Sequence, residues 1–245
     1  MKRALITGGQ QGIGFGIATA LHSAGFQVVL AAEVPPDAPA AQAALQALPD
    51  ARYVQFDLAD GDVAALLAAV GPVTTLVSNA GVPARVRGDM LDVTPENFDL
   101  TMGINLRGTF FLAQAVARSM LAVSSDEYRS LIFVTSVSAL MVSVERAEYC
   151  LSKSAAAMMV QLFAVRLAAQ NIGVFDLRPG IIATPMTAGV ADRYSAAIAG
   201  GLVPAGRWGQ PGDIGQIAVP LALGQMQFAT GAVIPADGGL SIQRL

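Results

Sequence analysis

Tyr149 stands four residues before Lys153, one of only two lysines in the 245-residue chain. Positions i and i+4 of a helix share a face one turn apart, so this spacing sets a phenol beside an ammonium. A phenol is a poor proton donor or acceptor near neutrality, and a neighbouring positive charge favours its ionised form. The pair suits proton exchange with a substrate oxygen. A surface tyrosine beside a solvated lysine has the same spacing, so the context of the motif must decide.

The second chemical feature is Thr7-Gly8-Gly9-Gln10-Gln11-Gly12-Ile13-Gly14. Without a Cβ, its glycines permit a tight turn, close approach of backbone to phosphate, and close packing of a helix on a strand. The helix N-terminus that follows favours an anion. The spacing is Gly-x-x-x-Gly-x-Gly rather than the general Gly-x-Gly-x-x-Gly fingerprint. Glu33 lies 19 residues beyond Gly14, the offset of an acid that hydrogen-bonds a ribose 2′-hydroxyl and repels a 2′-phosphate. Neither the turn nor Ala31-Ala32-Glu33 contains Arg or Lys. NAD is therefore expected over NADP.

These residues need a scaffold, and the hydrophobic pattern supplies one. Ala4–Ile6, Val28–Leu30, Tyr53–Phe56, Thr75–Ser78, Leu131–Thr135, Gly173–Leu177 and Ala232–Ile234 read as short buried strands. Helical stretches separate most of them: Ile13, Ile17, Leu21 and Ala24 recur at helical spacing, and Pro35, Pro36 and Pro39 precede an alanine-rich helix through about Leu48. Thr94-Pro95 opens a long helix to about Ala122, with Thr94 as N-cap. The helix of Tyr149 and Lys153 continues its apolar face through Met158, Leu162 and Val165, and Pro211-Gly212-Asp213 starts the last helix. Alternating strands and helices predict an α/β fold, a single Rossmann-type doubly wound parallel sheet with helices on both faces. Residues 1–245 read as one dinucleotide-binding catalytic domain.

Composition removes other classes. The net charge of −3 and 13% charged residues leave no basic footprint, so no nucleic-acid partner is expected. The single cysteine, Cys150, excludes an internal disulfide and multi-cysteine zinc sites, no metal is expected, and a reducing, cytoplasmic setting fits. The apolar run Ala4–Ile6 behind Met1-Lys2-Arg3 is too short for a signal peptide. Residues 214–236 carry no charge, yet glycines and prolines interrupt them, so a core helix, a turn and a strand are expected there rather than a membrane span.

Taken in order, these motifs resemble the short-chain dehydrogenase/reductase family along essentially the whole chain. The resemblance implies that Gly8, Gln11, Gly12, Ile13 and Gly14 hold the cofactor, that Asp57 and Leu58 after the third strand meet its adenine, and that Asn79-Ala80-Gly81 after the fourth forms a further cofactor turn. Arg178-Pro179-Gly180, with Ile182 and Thr184-Pro185, resembles the segment that holds the nicotinamide. Ser136, thirteen residues before Tyr149, would polarise the substrate oxygen, with Ser138 as its rival. Tyr149 would exchange the proton, Lys153 would support it and hold the nicotinamide ribose, and Asn105 would support a water relay. His22 and Cys150 read as structural, and Trp208 resembles a loop that meets substrate or a neighbouring subunit. The family's habit of pairing long helices implies a homo-oligomer, a tetramer.

The pattern is most similar to the 3-oxoacyl-(acyl carrier protein) reductase branch. Ser124–Arg129, however, brings two acids and one arginine where reductases of carrier-bound substrates usually present bases, which argues against carrier-protein docking. A small ketone, sugar or polyol is the leading expectation, a 3-oxoacyl thioester the alternative, and a non-catalytic NAD-binding protein a third. Substrate would lie among residues 137–146, the turn after Gly81, and a lid at about 186–203. Ser138 and Arg146 are the candidate substrate contacts, and Arg85, Arg87, Arg146 and Arg193 are the charges that could meet an anion.

Overall fold

The structure, a computed structural model, describes residues 2–244; Met1 and Leu245, the ends of the expected domain, lie outside the described residues. Among the described residues one sheet runs through the molecule: β1 (Arg3–Thr7), β2 (Gln27–Ala32), β3 (Arg52–Gln55), β4 (Thr75–Ser78), β5 (Arg129–Val134), β6 (Ile172–Pro179) and β7 (Val233–Ala236). The order is β3-β2-β1-β4-β5-β6-β7 and every pairing is parallel. The chain thus leaves β1 in one direction for β2 and β3, and returns beside β1 with β4. That reversal opens a crevice at the carboxyl ends of β1 and β4, the place where open α/β sheets bind ligands.

Successive side chains on a strand point to opposite faces, and both faces here are covered, which is why the strands read as continuous apolar runs. Leu5, Leu76, Leu131 and Phe133 pack with α3 (Val63–Val70), α5 (Thr109–Ala122) and α6 (Ala147–Leu167). Their neighbours Ala4, Ile6, Val77, Ile132 and Val134 pack with α1 (Gly12–Ser23), α2 (Pro39–Ala47) and α9 (Pro211–Ala222). Gly16 and Gly215 let α1 and α9 touch: a Cβ on Gly16 would lie 2.4 Å from the Pro211 carbonyl oxygen.

The helix signals act where expected, with three differences. Thr94 caps α4 (Pro95–Met102) by accepting from the Asn97 amide at 3.4 Å. Pro39, expected to close the preceding loop, is the first residue of α2, where its fixed φ costs nothing. The predicted helix from residue 94 to 122 is continuous, but Gly103–Gly108 between α4 and α5 is a π-helical segment. Met158, Leu162 and Val165 are exposed, and α6 buries Ala156, Met159, Val160, Phe163 and Leu167 instead. α6 is apolar on two faces, so sequence periodicity did not say which one the core takes. The stretch Val144–Gln170 is also long and apolar enough to cross a membrane by composition; half of its most apolar window is buried, and α6 lies against β6 and the crevice. The expected lid at 186–203 takes in most of α7 (Pro185–Ala188), all of α8 (Ala191–Ala199) and the turn that follows.

Candidate active site

The crevice deepens into a cleft of about 360 Å³. At one end lies the glycine turn after β1. Gly8 and Gly12 have φ of +63° and +54°, left-handed conformations that glycine adopts without strain. Gly14 stands behind the turn: a Cβ there would lie 2.2 Å from the Gly8 carbonyl oxygen. Thr7, buried at the end of β1, accepts from the amides of Asn79 and Ala80 through its hydroxyl, each at 3.0 Å. The Asn79 side chain donates in return to the Thr7 carbonyl at 3.0 Å and to that of Gly8 at 3.3 Å. The two turns that flank the reversal of strand order are thus stitched into one piece.

Gly8, Gln11, Gly12 and Ile13 line the cleft, as do Glu33, Asn79, Ala80 and Gly81. Pro179, Gly180, Ile182 and Thr184 close it from the end of β6. A nicotinamide dinucleotide fits this end: the turn presents backbone without Cβ at the start of α1, an acid follows β2, and the buried Gln10 side-chain oxygen has no partner among the described residues. Beside Glu33, the Tyr53 hydroxyl donates to the Val34 carbonyl at 2.7 Å. Burial first, then the charge of Glu33, pushes Tyr53 up to about 12, so it remains a donor. Asp57 and Leu58 lie outside the lining; the Asp57 carboxylate accepts from the Ala59 amide at 2.8 Å, and Leu58 is buried in the core.

Ser136, Ser138, Arg146, Tyr149 and Lys153 converge on the other end. Ser136 follows β5 and accepts from the Ser138 amide at 3.0 Å. Its support lies below, where the Thr135 hydroxyl donates to buried Asp176 and Arg178 pairs with the same carboxylate at 2.7 Å. Lys153 is 7% exposed, donates to the Val134 carbonyl at 3.2 Å and stands 5.7 Å from the centre of the Tyr149 ring. The expected pairing of Tyr and Lys on one helix face is therefore present. Asn105 sits behind, in the π segment: its amide accepts from the Val82 N–H at 2.8 Å, donates to the Val82 carbonyl at 2.9 Å, and donates to Ser152 at 3.1 Å. It clasps the loop leaving Gly81, where a Cβ would approach Asn105 to 2.9 Å and the Lys153 ammonium to 3.6 Å. Extra residues in a helical turn re-aim side chains, a recurrent feature of functional sites.

Sequence reasoning passed over Gln10, Thr135, Tyr194 and Leu240, which all line the cleft. Leu240 comes from the segment after β7 and had no motif to mark it. Trp208 does not line the cleft; it packs among Ile181, Ile198, Val203 and Leu240 and meets Tyr194 edge to face, centroids 5.9 Å apart. Of the other arginines, Arg87 lines the cleft, whereas Arg193 is paired with Glu145 at 3.0 Å. Among the described residues no group of three or more His, Cys, Asp or Glu is placed to hold a metal ion.

A serine, a tyrosine and a lysine gathered at the carboxyl edge of a parallel sheet, facing a glycine turn, can bind a carbonyl or hydroxyl oxygen and exchange its proton. Comparison with known proteins agrees with that chemistry. A family model described as Enoyl-(Acyl carrier protein) reductase matches residues 8–241. L-xylulose reductase of Bos taurus is 31% identical over 240 residues, covering 97% of this chain and 96% of the relative. The crystal structure of a 3-oxoacyl-[acyl-carrier protein] reductase from Brucella melitensis in complex with NAD superposes with a TM-score of 0.92 at 47% identity, covering 100% of this chain and 98% of that one. A structure from Agrobacterium tumefaciens with bound NADP has a TM-score of 0.88 at 30% identity, with coverage of 99% and 97%. The chain belongs to the short-chain dehydrogenase/reductase family and is an NAD(P)-dependent oxidoreductase that moves a hydride between nicotinamide and a carbonyl or alcohol carbon.

Proposed function

We propose that the Ser136, Tyr149 and Lys153 cluster is the catalytic centre of an NAD-preferring dehydrogenase/reductase that acts on a small ketone or secondary alcohol. The observation that carries this reading is the convergence of Tyr149 and Lys153 from α6, and Ser136 from the loop after β5, on the cleft that the glycine turn also lines. The bound cofactor supplies or accepts the hydride. Ser136 donates a hydrogen bond to the substrate oxygen and fixes its place. Tyr149 gives that oxygen a proton in reduction and takes it in oxidation. Lys153, held by the Val134 carbonyl, stabilises the negative charge that Tyr149 then carries. Asn105 is a positioning residue that holds the Gly81–Val82 backbone beside Lys153.

NAD preference rests on Glu33 in the cleft lining and on the lack of a cation in the turn. Residues 186–203 serve as a lid, since they bring Met186, Tyr194 and Leu202 to the cleft. A second copy of the chain covers the outer face of α5 and α6, where Phe111, Leu151, Met158, Leu162 and Val165 are exposed, Val165 to 84%. Sedimentation tests this: a mass of one chain for the native protein, or an unchanged oligomer in Leu162→Glu, would remove the proposal. The lone free cysteine is in keeping with a reducing, cytoplasmic setting.

The central test is Tyr149→Phe. Turnover should fall about a thousandfold, the scale of a lost general acid, while the NADH dissociation constant moves less than about threefold. Turnover near the native rate would defeat the mechanism. A second reading, reduction of 3-oxoacyl thioesters, draws on the 47% identity with the Brucella protein. Initial rates with acetoacetyl-CoA beside ketones, sugars and polyols separate the two.

A further inference from the structure

Resting on the catalytic reading above, we propose that the end of the cleft around Arg146 recognises a carboxylate. The substrate is then a short oxo or hydroxy acid, its carboxylate next to the reacting carbon or one carbon removed. Arg146 lines the cleft, and its guanidinium carbon lies 5.5 Å from the centre of the Tyr149 ring. The charge is therefore beside the group that handles the reacting oxygen.

It is also unspent. Arg178, Arg193 and Arg207 each have a carboxylate partner, with Asp176, Glu145 and Asp213. The side chains of Arg146 and Arg87, the two arginines in the cleft lining, have neither an ion pair nor a hydrogen bond among the described residues. Glu145 is adjacent in sequence, but its charge is engaged by Arg193 of α8. The one acid in the cleft lining is Glu33, after β2 at the glycine end. A guanidinium left half-buried without a partner fits a planar two-oxygen anion, which it can grip with two parallel hydrogen bonds.

An independent observation concerns the same cleft. Ser138, two residues beyond Ser136, is 2% exposed and lines the cleft, and its hydroxyl has no partner among the described residues. Buried hydroxyls are ordinarily satisfied, and an unpartnered one on a residue of the cleft lining can be completed by a bound group that reaches it. A hydroxyl and one guanidinium suit a carboxylate; phosphate sites gather several backbone N–H groups instead. Beyond these polar groups the lining turns apolar at Met141, Val142, Met186 and Leu202, which suits an alkyl remainder over a polyol.

In reduction, the carbonyl carbon of the oxo acid gains the hydride from reduced nicotinamide and its oxygen gains the Tyr149 proton. The carboxylate is unchanged and keeps its charge on Arg146. The test compares free acids with their methyl esters, acetoacetate and 2-oxobutyrate first, with NADH and the full chain. The acid should exceed its ester in kcat/KM by about thirtyfold, the scale of one charge-assisted hydrogen bond. Arg146→Met should bring that ratio to near one and Arg146→Lys should restore part of it, with the NADH dissociation constant unmoved. Esters equal to acids in the native chain overturn the inference whatever the variants do, and so does a ratio unmoved in a folded Arg146→Met. Turnover of ketones, esters or acetoacetyl-CoA without an advantage for free acids leaves the catalytic reading standing. No turnover with any of them, in a chain that binds NADH, removes both.

Discussion

At the glycine end of the cleft, Thr7, Gly8 and Asn79 hold one another through part-buried hydrogen bonds between side chain and backbone, and a single methyl at Gly14 would collide with the chain. At the arginine end, Arg87 and Arg146 are unpaired, Val142 is 88% exposed, and one exposed ion pair ties α8 to the loop before α6. The first end is shaped by main chain and glycines, with Glu33 as its one acidic side chain. The second presents side chains on loops, which can be exchanged without disturbing the sheet. Relatives named for a sugar reductase and for an acyl-carrier-protein reductase match this chain along nearly its whole length, as one scaffold with exchangeable loops allows.

That contrast can be broken at either end. The largest effect is expected from Gly14→Ala, whose Cβ would meet the Gly8 carbonyl oxygen at 2.2 Å. Overpacking of a rigid backbone should cost on the order of 3 kcal/mol, read as a loss of denaturation midpoint together with NADH affinity. A variant as stable as the native chain would show that the turn yields. Next is Glu33→Ala, which changes a side chain at the same end and should leave stability alone. The ratio of kcat/KM for NADPH to that for NADH should rise about tenfold as a repelling charge is lost; an unmoved ratio would take cofactor choice away from Glu33. Smallest is Arg193→Ala at the arginine end. An exposed pair is worth less than about 1 kcal/mol, so the midpoint should stay still while proteolytic cleavage within residues 186–203 quickens. Unchanged cleavage would mean that the pair does not hold the lid.

How much of this could be read along the chain follows from how local each signal is. Thr94 and Pro95 start a helix because the cap and the fixed φ act within three residues. Gly8 and Gly12 mark a turn for the same reason. The face of α6 was misjudged because both its faces are apolar, and only the packed sheet distinguishes Met159 from Met158. The π segment at Asn105 could not be read either: a helix with or without it has the same composition, and its purpose, a clasp on Val82, lies 23 residues away.

By itself, the sequence determined the alternation of strands and helices, the glycine turn, the single helix face shared by Tyr149 and Lys153, and the order of motifs that marks the family. Each depends on backbone geometry or on spacings of a few residues. The tertiary structure alone decided that Glu145 is engaged by Arg193 while Arg146 lies over Tyr149 without a carboxylate partner, that the Ser138 hydroxyl is buried and unpartnered, and that Leu240 and Tyr194 reach the cleft. The physical reason is that charge pairing and desolvation are set by neighbours tens of residues apart in the chain, and no local pattern records which of two arginines will find a carboxylate.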